Sequence, residues 1–390
     1  MGHMRVRDPV GGTNQSGLRD QNARLVLSYI RRHGAMASAE IARRSGLSAQ
    51  TVSNIVRALE ADGLLRREAA VKGRVGKPSV PVALNPKGVY GLGLSIGRRT
   101  LEMVLVDFNG RQIDSDVISY GFPARSEVFE FVRGHASSIL KRNGVPKNKV
   151  AGLGIARPNR IWEWLEFVNA PDGAMEDWKT LDLEKELSEL SGLNTFLEND
   201  ATAACVAEHL LGRGHDLHDF AYIFLGSFVG GGLVLNGKVV SGRTHNAAAF
   251  GPLPVPDGKG GTVQLLDVAS LHVLESALER AGADSNALRW EDTSWETFEP
   301  TLTEWIEITG RNLAIASAAI TSVVEVEAIL VAGAFPNEVR ARITERINEA
   351  FSHLNITGIE KPQIESATVG RRARSIGAAL LPIHASFFVV

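Results

Sequence analysis

Val52, Ile55, Val56 and Leu59 recur at helical spacing, which leaves Gln50, Thr51, Ser53, Asn54 and Arg57 on the opposite face of one short helix. Short donors and acceptors on such a face can reach base edges and phosphates from the major groove of DNA. Arg74 and Lys77 follow in a basic, Gly-rich run, residues 71–77, where they can lie along phosphates or enter a minor groove. Asn199-Asp200 stands at the head of an Ala-rich stretch, 201–211, that reads as a helix. Either residue can cap that helix. Residues 226–232, Gly-Ser-Phe-Val-Gly-Gly-Gly, read as a Gly-rich loop and fit a hairpin turn as well as a phosphate cradle.

The elements that must position the first group are legible around it. Leu25, Val26, Tyr29 and Ile30 mark a first helix that ends before Gly34. Ser38 is placed to cap a second helix, Gly46 to end it in a left-handed turn, and Ser48 to cap the third. Residues 64–68 and 79–84 read as two strands flanking the basic tip, which makes a wing. The expected organisation is a tag remnant and flexible arm over 1–17, a winged helix-turn-helix over 18–85 with 80–88 as linker, and an α/β domain over 86–390.

In that larger domain, strands are expected at 89–96, 101–108 and 111–120, with Asn109-Gly110 as a hairpin turn. A helix at 127–142 and a strand at 150–156 follow. A second set opens with strands at 220–225 and 233–235. It continues with helices near 263–278 and 301–321, a strand at 328–331, and helices at 337–352 and 372–384. Two halves that each open with a hairpin and then gain helices imply a duplicated α/β fold with a ligand cleft between its lobes.

Charge divides along the same line. Residues 1–85 hold 14 Lys and Arg against 6 Asp and Glu, and residues 86–390 hold 28 against 38. A basic module ahead of an acidic one points to polyanion binding by the first alone. One cysteine, Cys205, excludes an internal disulfide framework or a Cys-rich zinc site, and fits a reducing compartment. The longest mostly apolar stretch, 313–324, is shorter than the roughly 20 residues that span a bilayer. A cytoplasmic protein is expected, with no membrane partner and no cofactor.

The helix-turn-helix with its wing, the run Gly73-Arg74-Val75-Gly76-Lys77-Pro78, the sequence Glu198-Asn199-Asp200-Ala201, the 226–232 loop and Gly377-Ala378-Ala379 together resemble the ROK family of repressors and sugar kinases. The resemblance covers about residues 22–379. It implies a winged helix-turn-helix followed by a duplicated actin/hexokinase-like α/β domain. It also implies that Asn199 and Asp200 hydrogen-bond sugar hydroxyls, with Asp200 in the position of the kinases' general base. Asp172 falls near a further sugar contact.

Several kinase positions are altered. The family's Asp-x-Gly-Gly-Thr loop reads Ser95-Ile96-Gly97-Arg98-Arg99-Thr100, so the acidic residue expected to manage Mg²⁺ is lost and a glycine has become Arg98. The sugar-binding Glu and the His beyond it fall on Ala249 and Pro252, the Cys-rich zinc loop on 257–264, and a following acidic residue on Leu266. A hydroxyl-rich hexose facing Ala249 and Leu266 would leave donors unpaired at about 1–3 kcal/mol each.

These residues predict a regulator, in the family pattern a repressor of carbohydrate genes. It would bind an inverted-repeat operator in double-stranded DNA as a homodimer or tetramer, respond to a small carbohydrate-like effector, and have no kinase activity. Two other readings fit the same residues: a sugar kinase with an appended helix-turn-helix, and a regulator whose second domain binds a protein partner.

Overall fold

The computed structural model describes residues 15–70, 80–163, 170–289 and 293–389. They form two compact units. Of the described residues, those up to Tyr90, Asp107–Arg111 and those from Ile383 onward make the first, and those within Gly91–Val106 and Gln112–Pro382 the second.

In the first unit, α1 (Gln15–His33), α2 (Ser38–Ser45) and α3 (Ala49–Ala61) precede β1 (Leu65–Arg67) and β2 (Val82–Leu84). Helix α1 begins three residues before its expected start at Leu18. Gly46 ends α2 at φ 72°, and the Ser48 side chain accepts from Thr51 N to start α3, both as expected. Ser38 does not cap α2: it is the first helical residue, and Ala37 occupies the cap position with no side-chain hydrogen bond. Val26, Ile30, Ile41, Val52, Val56 and Leu59 are buried together. Strands β1 and β2 pair antiparallel, and Met36 bridges Val82 to extend them. Arg67 grips Glu60 with two hydrogen bonds of 2.7 and 3.0 Å, tying β1 to α3. The expected linker is ordered in place. Val82–Leu84 is a strand, and Asn85 Nδ2 donates to Gly63 O at 2.7 Å.

The chain's C-terminal residues complete this unit. Phe388 stacks on Phe108 at 5.7 Å, the Arg31 guanidinium lies 4.6 Å from the Phe388 ring, and Val389 N donates to Ser28 Oγ at 3.0 Å. Burial lowers the Arg31 pKa to about 10, so it remains a cation at neutral pH.

The second unit holds two five-stranded sheets. The first contains β3 (Tyr90–Ile96), β4 (Thr100–Asp107), β5 (Gln112–Ser119), β6 (Val150–Arg157) and β7 (Thr195–Asn199), in the order β5-β4-β3-β6-β7. The second contains β8 (Phe220–Leu225), β9 (Val229–Leu235), β10 (Lys238–Val239), β13 (Ala328–Gly333) and β14 (Gln363–Ser366), in the order β10-β9-β8-β13-β14. Numbered within each half, both orders read 3-2-1-4-5, so the duplication inferred from the hairpin pattern is present. The small hairpin β11 (Pro254–Pro256) and β12 (Thr262–Gln264) stands apart.

Helices α4 (Arg125–Arg142), α5 (Leu183–Ser191) and α6 (Asp200–Leu211) belong to the first half. Helices α7 (Leu266–Ala269), α8 (Leu271–Arg280), α9 (Thr301–Val323) and α10 (Asn337–Ser352) accompany the second, and α11 (Ala373–Phe387) closes the chain. The core of the second half joins Ile223, Leu225, Ile329 and Val331 from its sheet with Leu274, Leu302, Trp305, Leu313 and Ile343 from its helices.

The Gly-rich stretch is not the loop expected. Gly230, Gly231 and Gly232 lie within β9, and the turn is confined to 226–228. The glycines let α6 approach the sheet: a Cβ at Gly232 would overlap Cys205 Cβ, and one at Gly230 would come 2.7 Å from Ala201 Cβ.

Candidate functional site

On the first unit, α3 carries the candidate DNA-contacting face. Gln50, Asn54 and Arg57 are exposed and Thr51 and Ser53 half-buried, while Val52, Val56 and Leu59 point into the core. Gln50 Nε2 donates to Asn54 Oδ1 at 3.1 Å, and Arg57 Nη2 to Ser53 Oγ at 3.5 Å, so two one-turn pairs organise this face. Thr51 also belongs to the cap, with its hydroxyl 2.8 Å from Ser48 Oγ. Arg74 and Lys77 lie outside the described residues.

On the second unit, a cavity of about 230 Å³ gathers residues distant in sequence. Asn199 and Asp200 come from the β7–α6 junction, Arg98 from the β3–β4 turn, Gly226 and Ser227 from the β8–β9 turn, and Arg374 from α11. Its wall also includes Ala248, Ala249, Pro252 and Leu266. Of the positions altered relative to the sugar kinases, Arg98, Ala249, Pro252 and Leu266 therefore face the same space as the retained Asn-Asp pair, while Ser95 and residues 257–264 do not line it. Asp172 is exposed in the Pro171–Gly173 turn and is not among the residues lining this cavity.

Asn199 caps α6, its Oδ1 accepting from Ala201 N and Thr202 N at 3.0 and 3.2 Å. It therefore serves both the helix and the cavity wall. Asp200 Oδ2 is 3.6 Å from Arg374 Nη1, and the Arg98 charge also acts on this carboxylate. The Arg98 guanidinium lies 3.9 Å from the Phe228 ring centre. Burial lowers its pKa to about 10, with the nearby Arg374 charge a smaller contribution, yet it stays ionised at neutral pH. Beside Asn199, the Glu198 carboxyl is raised by burial, although its Oε1 accepts from Asn199 N. Asp200 is thus paired with Arg374 in the wall of this cavity.

Sequence reasoning placed Arg98 as an obstruction to a phosphate loop and missed Arg374. Arg374 stands 174 residues beyond Asp200 in the chain and reaches it only through the fold, so no local motif signals it.

Where the resemblance implies a cysteine-held zinc loop, a hairpin stands instead. Asp257 closes it, its Oδ1 accepting from Lys259 N at 2.7 Å and Gly261 N at 2.8 Å. These backbone donors hold the Asp257 carboxyl below its ordinary range. Among the described residues, His218, Asp219 and Glu327 make the one cluster of metal-ligand type. Its carboxylates are committed to turns: Glu327 accepts from the backbone N–H groups of His218 and Asp219, both at 2.8 Å, and Asp219 from Asn236 N. Among the described residues, no helix is long and apolar enough to cross a membrane.

A model of the ROK family matches residues 91–385, and one of the MarR family matches residues 16–74. The uncharacterized protein y4fQ of Sinorhizobium fredii is 25% identical over 370 residues, 94% of this chain and 92% of that one. The xylose repressor of Bacillus subtilis is 21% identical over 246 residues, 62% of each chain. Among solved structures, a ROK family transcriptional regulator homologous to the E. coli MLC protein superposes with a TM-score of 0.70 at 22% identity, covering 95% of this chain and 97% of its own. A ROK family glucokinase from Streptomyces griseus gives 0.61 at 21% identity, covering 75% and 98%. The shorter cover of the glucokinase leaves a quarter of this chain without a counterpart, whereas the regulator's fold extends over nearly all of it.

Proposed function

The chain belongs to the ROK family, and from that premise we propose that it is a DNA-binding transcriptional regulator, a repressor of carbohydrate genes, whose second unit senses a small carbohydrate-like effector. The observation that carries the reading is the pairing of a winged helix-turn-helix, with its polar face on α3, to a cavity that keeps Asn199 and Asp200. The likeness to the xylose repressor and to the solved regulator supports it.

The cavity has the fold of a sugar kinase site but not its chemistry. Ser95 stands where the resemblance places an acid for Mg²⁺, Arg98 fills the first phosphate turn, and Ala249, Pro252 and Leu266 replace polar groups. Asp200 pairs with Arg374. This supports a binding site without phosphoryl transfer. The protein acts as a homodimer or tetramer on an inverted repeat, since two recognition helices then fall in successive major grooves. Effector control requires only that the ligand favour one of two arrangements with different DNA affinity.

The test is a thermal-shift panel of sugars, sugar acids, polyols and sugar phosphates on wild type and Asp200→Ala. A ligand at 100 times its Kd raises stability by about 2.7 kcal/mol. The expected result is a hit that Asp200→Ala abolishes. Sugar-dependent ADP release from ATP, lost in Asp200→Asn, would overturn the reading in favour of a kinase. Silence across the panel would overturn the effector in favour of a protein partner.

A further inference from the structure

Asn159 stands just beyond β6 in the first half of the second unit. Its Nδ2 donates to His245 O at 2.6 Å and to Asn246 Oδ1 at 3.1 Å. His245 and Asn246 belong to the segment between β10 and β11, in the second half. Asn159 and Asn246 both line the cavity that holds Asn199 and Asp200. An amide bridge thus joins the two halves in the wall of the candidate site.

We propose that Asn159 and Asn246 are effector-binding residues that together read a pair of adjacent hydroxyls on a polyol. The proposal rests on the effector reading above and adds the residues that determine which hydroxyl pattern is accepted.

Three observations carry it. The first is the chemistry of the pair. Both bonds use the Asn159 nitrogen, and Asn246 contributes its oxygen. The complementary atoms, Asn159 Oδ1 and Asn246 Nδ2, are an acceptor and a donor on neighbouring side chains. One hydroxyl of a vicinal diol donates to the first while the other accepts from the second. The rest of the wall needs such groups: Ala249 and Leu266 offer no hydrogen bond, and Asn199 commits its oxygen to the cap of α6.

The second is the backbone on either side of the bridge. Among the described residues, four that are not glycine have positive φ. Asn236 is in the β9–β10 turn, and the other three, Arg160 at 51°, His245 at 54° and Ala248 at 55°, flank the bridging residues in sequence. A residue with a Cβ adopts this region at a cost, and such residues gather at ligand clamps where the surrounding structure holds them.

The third is that both sides of the bridge are held by the fold itself. The segment carrying Asn246 is seated on β9: a Cβ at Gly231 would come 2.8 Å from Ala248 O and overlap the Phe250 ring. Within the segment, Ala247 N donates to Ser241 O at 3.2 Å and Phe250 N to Ala248 O at 2.7 Å. Opposite it, Arg160 pairs with Glu163, which also lines the cavity. Amides fixed in this way lose little freedom when a ligand binds.

The test is calorimetric titration of wild type, Asn159→Ala and Asn246→Ala with D-glucose, D-xylose and D-mannitol, each beside its singly deoxygenated analogues. The expected result is that at least one parent compound binds wild type and is weakened at least about tenfold by either substitution. In Asn246→Ala, Asn159 keeps its bond to His245 O, so one hydroxyl contact is removed and the other stays. The analogue lacking the hydroxyl that Asn246 reads should therefore bind this variant and wild type alike, since a site built for a hydroxyl already rejects a ligand without it. Asn246 is exposed, and its variant keeps the test open if Asn159→Ala fails to fold. An equal loss in Asn246→Ala for the parent and every deoxygenated analogue would show that the amides only tie the two halves together, and would overturn the proposal. Unchanged affinity in both variants, with Asp200→Ala abolishing binding, would overturn it and leave the effector reading intact. Absence of binding by every probe would overturn both.

Discussion

Arg57 is exposed on α3, one turn from Ser53, and its guanidinium is the longest reach on that face. Arg57→Ala should weaken binding to the target DNA by about 1–3 kcal/mol if the side chain pairs with a base edge. Fluorescence anisotropy against specific and scrambled duplexes measures this, and equal affinity of the variant for its site would take Arg57 off the recognition surface. Arg74 and Lys77 are tested differently, because a phosphate contact carries no sequence information. Lys77→Ala should flatten the slope of log affinity against log salt by about one. An unaltered slope would place the residue away from DNA. In the cavity, the family resemblance disclosed Asn199-Asp200 as a ligand pair, whereas residue identity and spacing alone offered a helix cap. The ion pair with Arg374 depends on the chain returning to the same place after a whole second lobe, which no local pattern records.

Elements were most legible where the pattern was strong and least where one residue type has two uses. The hairpin at Asn109-Gly110 and the helix Asn337–Ser352 stand as read, since turn chemistry and apolar period agree there. Glycines 230–232 misled because a loop and a strand under a close helix both need them; the packing against Ala201 and Cys205 decides between the two. Strands β7 and β14 are short and carry little alternation, so their place at equivalent positions of the two sheets appears only in the topology. The incorporation of Ile383–Val390 into the first unit was likewise hidden. Phe388 is buried against Phe108 and Arg31 there, so Phe388→Ala should destabilise that unit by about 3–5 kcal/mol, the usual cost of removing a buried ring. Amide hydrogen exchange reports it as lost protection in α1, and undiminished protection in α1 would show that the C-terminal residues do not stabilise the unit.

At the scale of the whole molecule, a basic helix-turn-helix unit precedes an acidic α/β unit, and the proposed function requires free-energy coupling between DNA on the first and an effector on the second. Such coupling is reciprocal: an effector that lowers DNA affinity by some factor must itself bind less tightly, by the same factor, to the DNA-bound protein. A kinase with a passive DNA-binding appendage would show no such relation. The direct measurement is therefore anisotropy titration of the protein onto DNA from its own upstream region, with and without the ligand that stabilises it in the thermal-shift panel. The account predicts sequence-specific binding at least about a thousandfold tighter than to random duplex, weakened by that ligand in wild type and untouched by it in Asp200→Ala. Binding with no sequence preference, or specific binding that the ligand leaves unchanged in wild type, would contradict it.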